Sequence, residues 1–175
     1  MRGPLLWLPL LAFVAIVAVV AGGLFRPADR TVRSRLIGQP LPAFDLPAMV
    51  GGKPGLATAD FQRGGPRLLN VFASWCVPCI AEAPQLLALK RAGVPIDAIA
   101  IRDTAPAVGG FLARHGDPYA RVGGDDASRV QLALGSSGVP ETFVIDGRGR
   151  IAHQHVGAIT ADDVPLILAA VERAR

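Results

Sequence analysis

Residues 67–84 read RLLNVFASWCVPCIAEAP. The run Arg67–Ala73 is almost wholly apolar, the pattern of a strand buried on both faces of a sheet. A helix is predicted to begin at Cys76 and to run to about Arg91, so strand and helix follow one another with only a short turn between. Downstream, strands are predicted at Ile96–Ile101, Thr142–Ile145 and Ile151–Val156, the last two separated by the hairpin turn DGRGR. Helices are predicted over Val108–Arg114, Asp126–Leu134 and Val164–Arg173, with Thr160-x-x-Asp163 a candidate cap for the last. Strand–helix–strand–helix followed by a hairpin and a helix describes an α/β domain, a central mixed sheet flanked by helices.

Upstream, QPLPAFDLPAM (residues 39–49) is broken by three prolines and VGGKPG (residues 50–55) is a turn cluster. Residues 26–38 lack hydrophobic periodicity and read as a linker. From Leu5 to Phe25 no residue is charged. As a helix, those residues would span about 31 Å, close to a bilayer's hydrocarbon core. The predicted division is an N-terminal membrane anchor at 1–25, a linker at 26–38 and a domain at 39–175. A cleaved signal peptide is the alternative reading of residues 1–25. The chain of 175 residues carries 18 Lys and Arg against 14 Asp and Glu, but the excess lies in residues 1–38. Residues 39–175 hold thirteen of each sign. With no positive excess to neutralise phosphates, nucleic-acid binding is excluded.

Cys76 and Cys79 are the only cysteines. Structural zinc needs four ligands, and no second cysteine pair is present. Two merely buried cysteines remain a reading, but a pair three apart at a strand-to-helix junction fits redox chemistry better. At a helix start, unpaired N–H groups and the helix dipole favour a thiolate at Cys76. Cys79, one turn on, lies within disulfide distance. Cys76 is then the nucleophile towards a partner's disulfide, and Cys79 resolves the mixed disulfide. Val77 and Pro78 shape the turn between them. His153 and His155 share a strand face but have no third ligand, so no metal site is assigned.

Trp75-Cys76-Val77-Pro78-Cys79 resembles the thioredoxin active site, and Pro84 lies where thioredoxins kink this helix. Val139-Pro140-Glu141-Thr142 resembles their loop with a cis proline, in which Val139 offers main-chain groups to an extended substrate. Taken with IGQPLPAFDLP, LLNVFASWCVPCIAEAP, GDPYA, GVPETFVIDGRGRI and HVGAIT, the chain is similar to the membrane-anchored DsbE/CcmG type of cytochrome c maturation. The resemblance implies a thioredoxin-like fold behind a single N-terminal transmembrane helix, with the domain facing the periplasm from the inner membrane. It implies a protein-disulfide reductase with no cofactor beyond the Cys76–Cys79 disulfide. Electrons would come from a membrane thiol transporter of the DsbD or CcdA kind. They would pass to apocytochrome c, directly or through a partner thiol protein. The family often has an aromatic before the proline loop, where this chain has Leu134-Gly135-Ser136-Ser137-Gly138.

Asn70 stands where thioredoxins carry a buried Asp, and an amide takes no proton. Glu82 and Glu141, both close to the disulfide by resemblance, are the candidates for tuning the thiol pKa. Trp75, Val77, Pro78, Val139 and Pro140 are the candidate substrate-binding residues. Two alternatives stand beside the reductase: an anchored thioredoxin with another client, and a copper-binding assembly factor using Cys76, Cys79 and a His as soft ligands.

Overall fold

The computed structural model describes residues 7–24 and 34–175. The chain divides into two compact units, Met1–Thr31 and Val32–Arg175.

In the first unit, helix α1 spans Leu8–Leu24, 17 residues. At 1.5 Å per residue it is about 26 Å long, short of the roughly 30 Å of a hydrocarbon core. Among the described residues no helix is long and apolar enough to cross a membrane. That finding overturns the expected transmembrane anchor, and with it the single-pass inner-membrane placement. Leu5, Leu6 and Phe25, which completed the apolar run, lie outside the described residues, as do residues 26–33 of the expected linker.

The second unit is the α/β domain. A two-stranded hairpin, β1 (Asp45–Leu46) and β2 (Leu56–Ala57), precedes a 3₁₀ turn at Thr58–Phe61. The main sheet holds β3 (Arg67–Phe72), β4 (Ile96–Ile101), β5 (Val122–Asp125), β6 (Glu141–Ile145) and β7 (Ile151–Val156). Its order is β5-β4-β3-β6-β7. β3, β4 and β5 pair in parallel, whereas β6 runs antiparallel to both β3 and β7. The mixed sheet follows from the connections: β3 to β4 and β4 to β5 cross over through helices α2 (Val77–Arg91) and α3 (Ala105–His115), and β6 to β7 is a hairpin. Right-handed crossovers in one direction put α2 and α3 on the same face, where α2 touches both α3 and the C-terminal α5 (Asp163–Arg173).

β3 and β4 are buried along almost their whole length, as strands covered on both faces must be. On the α2 face Phe72 packs against Phe111 of α3 and against Tyr119, with ring centroids 5.6 and 5.0 Å apart. Each such aromatic contributes about 1.5–3 kcal/mol by burial. On the other face the small hairpin comes down on β5. A Cβ on Gly123 would stand 2.8 Å from Leu46 Cβ and 3.1 Å from Leu56 Cβ, so only glycine lets the hairpin close. The two glycines of VGGD hide this strand from a propensity reading. The helix expected at Asp126–Leu134 is correspondingly shorter, α4 at Arg129–Ala133. At the pole away from the cysteines, Arg67 Nη1 meets the fully buried Asp97 Oδ2 at 2.9 Å. Burial pushes the Asp97 carboxyl up, opposed by the charges of Arg67 and Arg121.

Candidate active site

β3 ends at Phe72, the chain turns through Ala73–Trp75, and Cys76 takes the N-cap position of α2 with extended φ/ψ of −86° and 108°. Its Sγ accepts the Cys79 N–H at 3.2 Å, and its carbonyl accepts from Cys79 and Ile80. Proline in the first helical turn suits a position whose N–H would be unpaired. Cys76 and Cys79 are joined as a disulfide, their Cα atoms 5.2 Å apart. Both are buried, at 4% and 2% exposure, while Trp75 and Val77 beside them are exposed. Ser74 is tied to the next loop by Asp103, which accepts its N–H at 2.5 Å and its Oγ–H at 2.8 Å. Trp75 Nε1 donates to the Arg102 carbonyl at 3.1 Å. Arg102 itself has φ 47°, a left-handed conformation that turns the chain just beyond β4. Pro84 sits inside α2 and removes one main-chain donor there.

Beneath the disulfide, on the α2 face of the sheet, lies a closed polar network. Glu82 is one turn below Cys79 on α2 and fully buried. Its Oε1 accepts from Asn70 Nδ2 at 3.0 Å and its Oε2 from the Ile159 N–H at 3.1 Å. Asn70 Nδ2 also reaches Thr142 Oγ1 at 3.0 Å, and Asn70 Oδ1 accepts the Tyr119 hydroxyl at 2.7 Å. Burial pushes the Glu82 carboxyl up to about 7, with the hydrogen bonds from Ile159 and Asn70 pulling the other way. Burial also pushes the Tyr119 hydroxyl well up, helped by the charges of Glu82 and Asp117.

The Val139–Pro140 bond is cis, and Glu141 opens β6 immediately after it. Asn70 pairs with Thr142 and Val71 with Glu141. Successive side chains alternate across a strand, so Glu141 points to the face opposite Glu82. There it accepts three bonds: from the Ser137 N–H and Oγ–H at 2.8 Å each, and from Gln154 Nε2 at 3.0 Å. Between this loop and Trp75 runs an open groove of about 360 Å³, lined by Trp75, Arg102, Leu132, Ser137 and Val139 among others. No backbone hydrogen bond from elsewhere in the chain reaches the main chain of Val139 among the described residues.

A cysteine pair capping a helix, a cis proline loop and an intervening groove on a β5-β4-β3-β6-β7 sheet invite comparison with known proteins. A profile of the Redoxin family matches residues 36–170. The chain is 38% identical over 162 residues to the thiol:disulfide interchange protein HelX of Rhodobacter capsulatus, covering 93% of this chain and 92% of that one. It is 40% identical over 160 residues to the thiol:disulfide interchange protein DsbE of Pseudomonas fluorescens, covering 91% and 88%. The chain belongs to the DsbE/CcmG family of thiol:disulfide interchange proteins. A crystal structure of a DsbE protein from Chlorobium tepidum is similar at TM-score 0.63 and 27% identity, covering 81% of this chain and 99% of that one. Family membership together with the Cys76–Cys79 disulfide makes this a thiol–disulfide oxidoreductase.

For a DsbE/CcmG protein the placement of the predicted residues is informative. Trp75, Val77 and Pro78 are exposed around the buried Cys76–Cys79 disulfide, and Val139 faces Trp75 across the groove. Glu82 and Glu141 are separated by the sheet, each with its own set of donors. Among the described residues no three His, Cys, Asp or Glu side chains gather as a metal site. His155 instead approaches the Ala158 carbonyl and Asp163. Sequence reasoning missed Tyr119, Thr142, Ser137, Gln154 and Arg102. For Tyr119 a signal existed: it is the chain's one tyrosine, it sits in GDPYA, and a buried hydroxyl demands a partner.

Proposed function

We propose that the protein reduces the disulfide formed by the haem-binding cysteines of apocytochrome c, directly or through a partner thiol protein. The observation that supports this best is the groove between Trp75 and Val139, open beside a covered disulfide whose helix carries a buried carboxyl, Glu82. In the reduced protein the Cys76 thiolate, at the N-terminus of α2, attacks one sulfur of the client disulfide. The client's S–S bond breaks, a mixed disulfide forms at Cys76, and the first client sulfur leaves as a thiolate and takes a proton from water. Cys79 gives its proton to Glu82 and attacks Cys76 Sγ. The Cys76–Cys79 bond forms as the second client sulfur leaves and is protonated in turn. Two electrons have moved from the protein's dithiol to the client. A dithiol of the DsbD or CcdA kind in a membrane thiol transporter restores the reduced state by the reverse exchange.

Trp75, Val77, Pro78, Val139 and Pro140 hold the client strand, with the free main chain of Val139 as its pairing edge. Glu141 keeps the proline loop in place and contributes negative charge to the cysteine environment. The test uses a peptide bearing the two haem-site cysteines as a disulfide. Reduced protein should convert it to the dithiol, and Cys79→Ser should accumulate a mixed disulfide at Cys76 by mass spectrometry. Exchange no faster than with an unrelated disulfide peptide would sink the client assignment.

A further inference from the structure

The exchange reaction does not itself account for the Tyr119 hydroxyl. Tyr119 lies in the loop between α3 and β5, is 3% exposed, and lays its ring against Phe72. A phenylalanine would serve that contact, and burying a hydroxyl is unfavourable unless it is hydrogen-bonded. The bond it makes, to Asn70 Oδ1 at 2.7 Å, has a directional consequence. A buried Asn presents an acceptor at one end of its amide and donors at the other, in nearly the same shape, so it fits either way round. No other acceptor for the Tyr119 hydroxyl is present among the described residues, so its hydrogen holds the amide with Nδ2 towards Glu82 Oε1 and Thr142 Oγ1.

We propose that Tyr119 is a positioning residue for thiol–disulfide exchange, which through Asn70 keeps an N–H aimed at Glu82 and so keeps that carboxyl able to exist as the base for Cys79. The proposal rests on the assignment of Glu82 as proton acceptor made above. Without the hydroxyl the amide is free to turn and show Oδ1 to Glu82. A carbonyl facing a carboxyl favours the protonated form, which cannot take the Cys79 proton. Cys79 lies one turn from Glu82 on its own helix, Tyr119 reaches it through Asn70, and His155 of β7 pairs with Thr142, the other acceptor of the Asn70 amide. Asp117 acts on Tyr119 rather than on Glu82. Because burial holds the Tyr119 hydroxyl protonated, it remains a donor wherever Glu82 titrates.

The measurement is the pH dependence of client release from the preformed mixed disulfide, in the full chain. Tyr119→Phe should move the limb set by Glu82 upward by about one pH unit, a tenfold loss of rate on its acid side. Thr142→Val leaves the Tyr119–Asn70 bond in place and should move it less. Tyr119→Phe added to Glu82→Gln should change nothing further, since the group it acts on has gone. Chemical denaturation separates this from a packing effect: a Tyr119→Phe protein that is less stable but keeps the wild-type limb overturns the proposal. If Glu82→Gln itself leaves the limb in place, the base assignment has failed, and the two failures are thereby told apart.

Discussion

Glu82 and Glu141 carry the same group, are withdrawn from water to 0% and 1% exposure, and lie on opposite faces of one sheet. Their surroundings differ. Glu82 has two N–H donors, the Ile159 main chain and Asn70, and burial outweighs them, holding its carboxyl up near 7. Glu141 has three donors, two from Ser137 and one from Gln154, and all of them belong to the proline loop or the strand beside it. Depth alone therefore does not decide what a carboxyl does. Glu82 shares a helix with the cysteines and can exchange a proton near neutrality; Glu141 fastens the loop that faces them.

The largest effect should come from Glu82→Gln. General-base assistance is worth roughly 10²–10⁴-fold, so the variant should release client from the mixed disulfide at least about a hundredfold more slowly near pH 7. Glu141→Gln should stay within a few-fold of wild type in the same rapid-quench assay. Equal losses in the two variants would break the contrast.

The second effect is on stability. A carboxyl raised from 4.5 to about 7 in the folded state is stabilising relative to its charged form below 4.5 and is lost as a stabiliser while pH rises through 7. Wild type should therefore lose about 3 kcal/mol relative to Glu82→Gln between pH 4 and pH 8. Urea denaturation across that range reads it directly, and a flat difference would deny Glu82 its raised pKa.

Third, Glu141→Ala leaves the Ser137 and Gln154 donors buried without their acceptor. A cost of about 2 kcal/mol should appear in urea denaturation. The smallest effect concerns the thiol. Removing the Glu141 charge in Glu141→Gln should lower the Cys76 pKa, followed by thiolate absorbance, and make the disulfide more oxidising by up to about 30 mV, or about 1.4 kcal/mol. A shift as large as that of Glu82→Gln would place both carboxylates in one electrostatic site and dissolve the distinction between them.

What could be read from sequence follows the range of the interactions concerned. The cysteine helix, the strands at Arg67, Ile96 and Ile151 and the DGRGR turn are local patterns, and they stand within a few residues of where periodicity puts them. The Asn70 network joins residues 12 to 77 positions apart, and no local pattern announces it. Asp97 is the one charged residue of IDAIAI, and it is fully buried against Arg67, 30 positions away. β5 is concealed because its glycines answer to the hairpin above them and not to strand propensity. The apolar run near the N-terminus is plain in the composition, but helix length is a property of the folded backbone, and 17 residues are too few.

Gln154 has a second bond. Its Nε2 holds Glu141, and its Oε1 accepts the Ser34 N–H at 2.6 Å, while Ser34 Oγ donates to the Leu134 carbonyl at 2.7 Å. One amide thus clips the leading segment of the domain to the loop that borders the groove beside Trp75. Anyone excising this domain for biochemistry meets the consequence at the bench. A cut at Gln39 would leave the Gln154 oxygen and the Leu134 carbonyl without their partners and slacken the loop two bonds away, whereas a cut upstream of Ser34 keeps the clip shut.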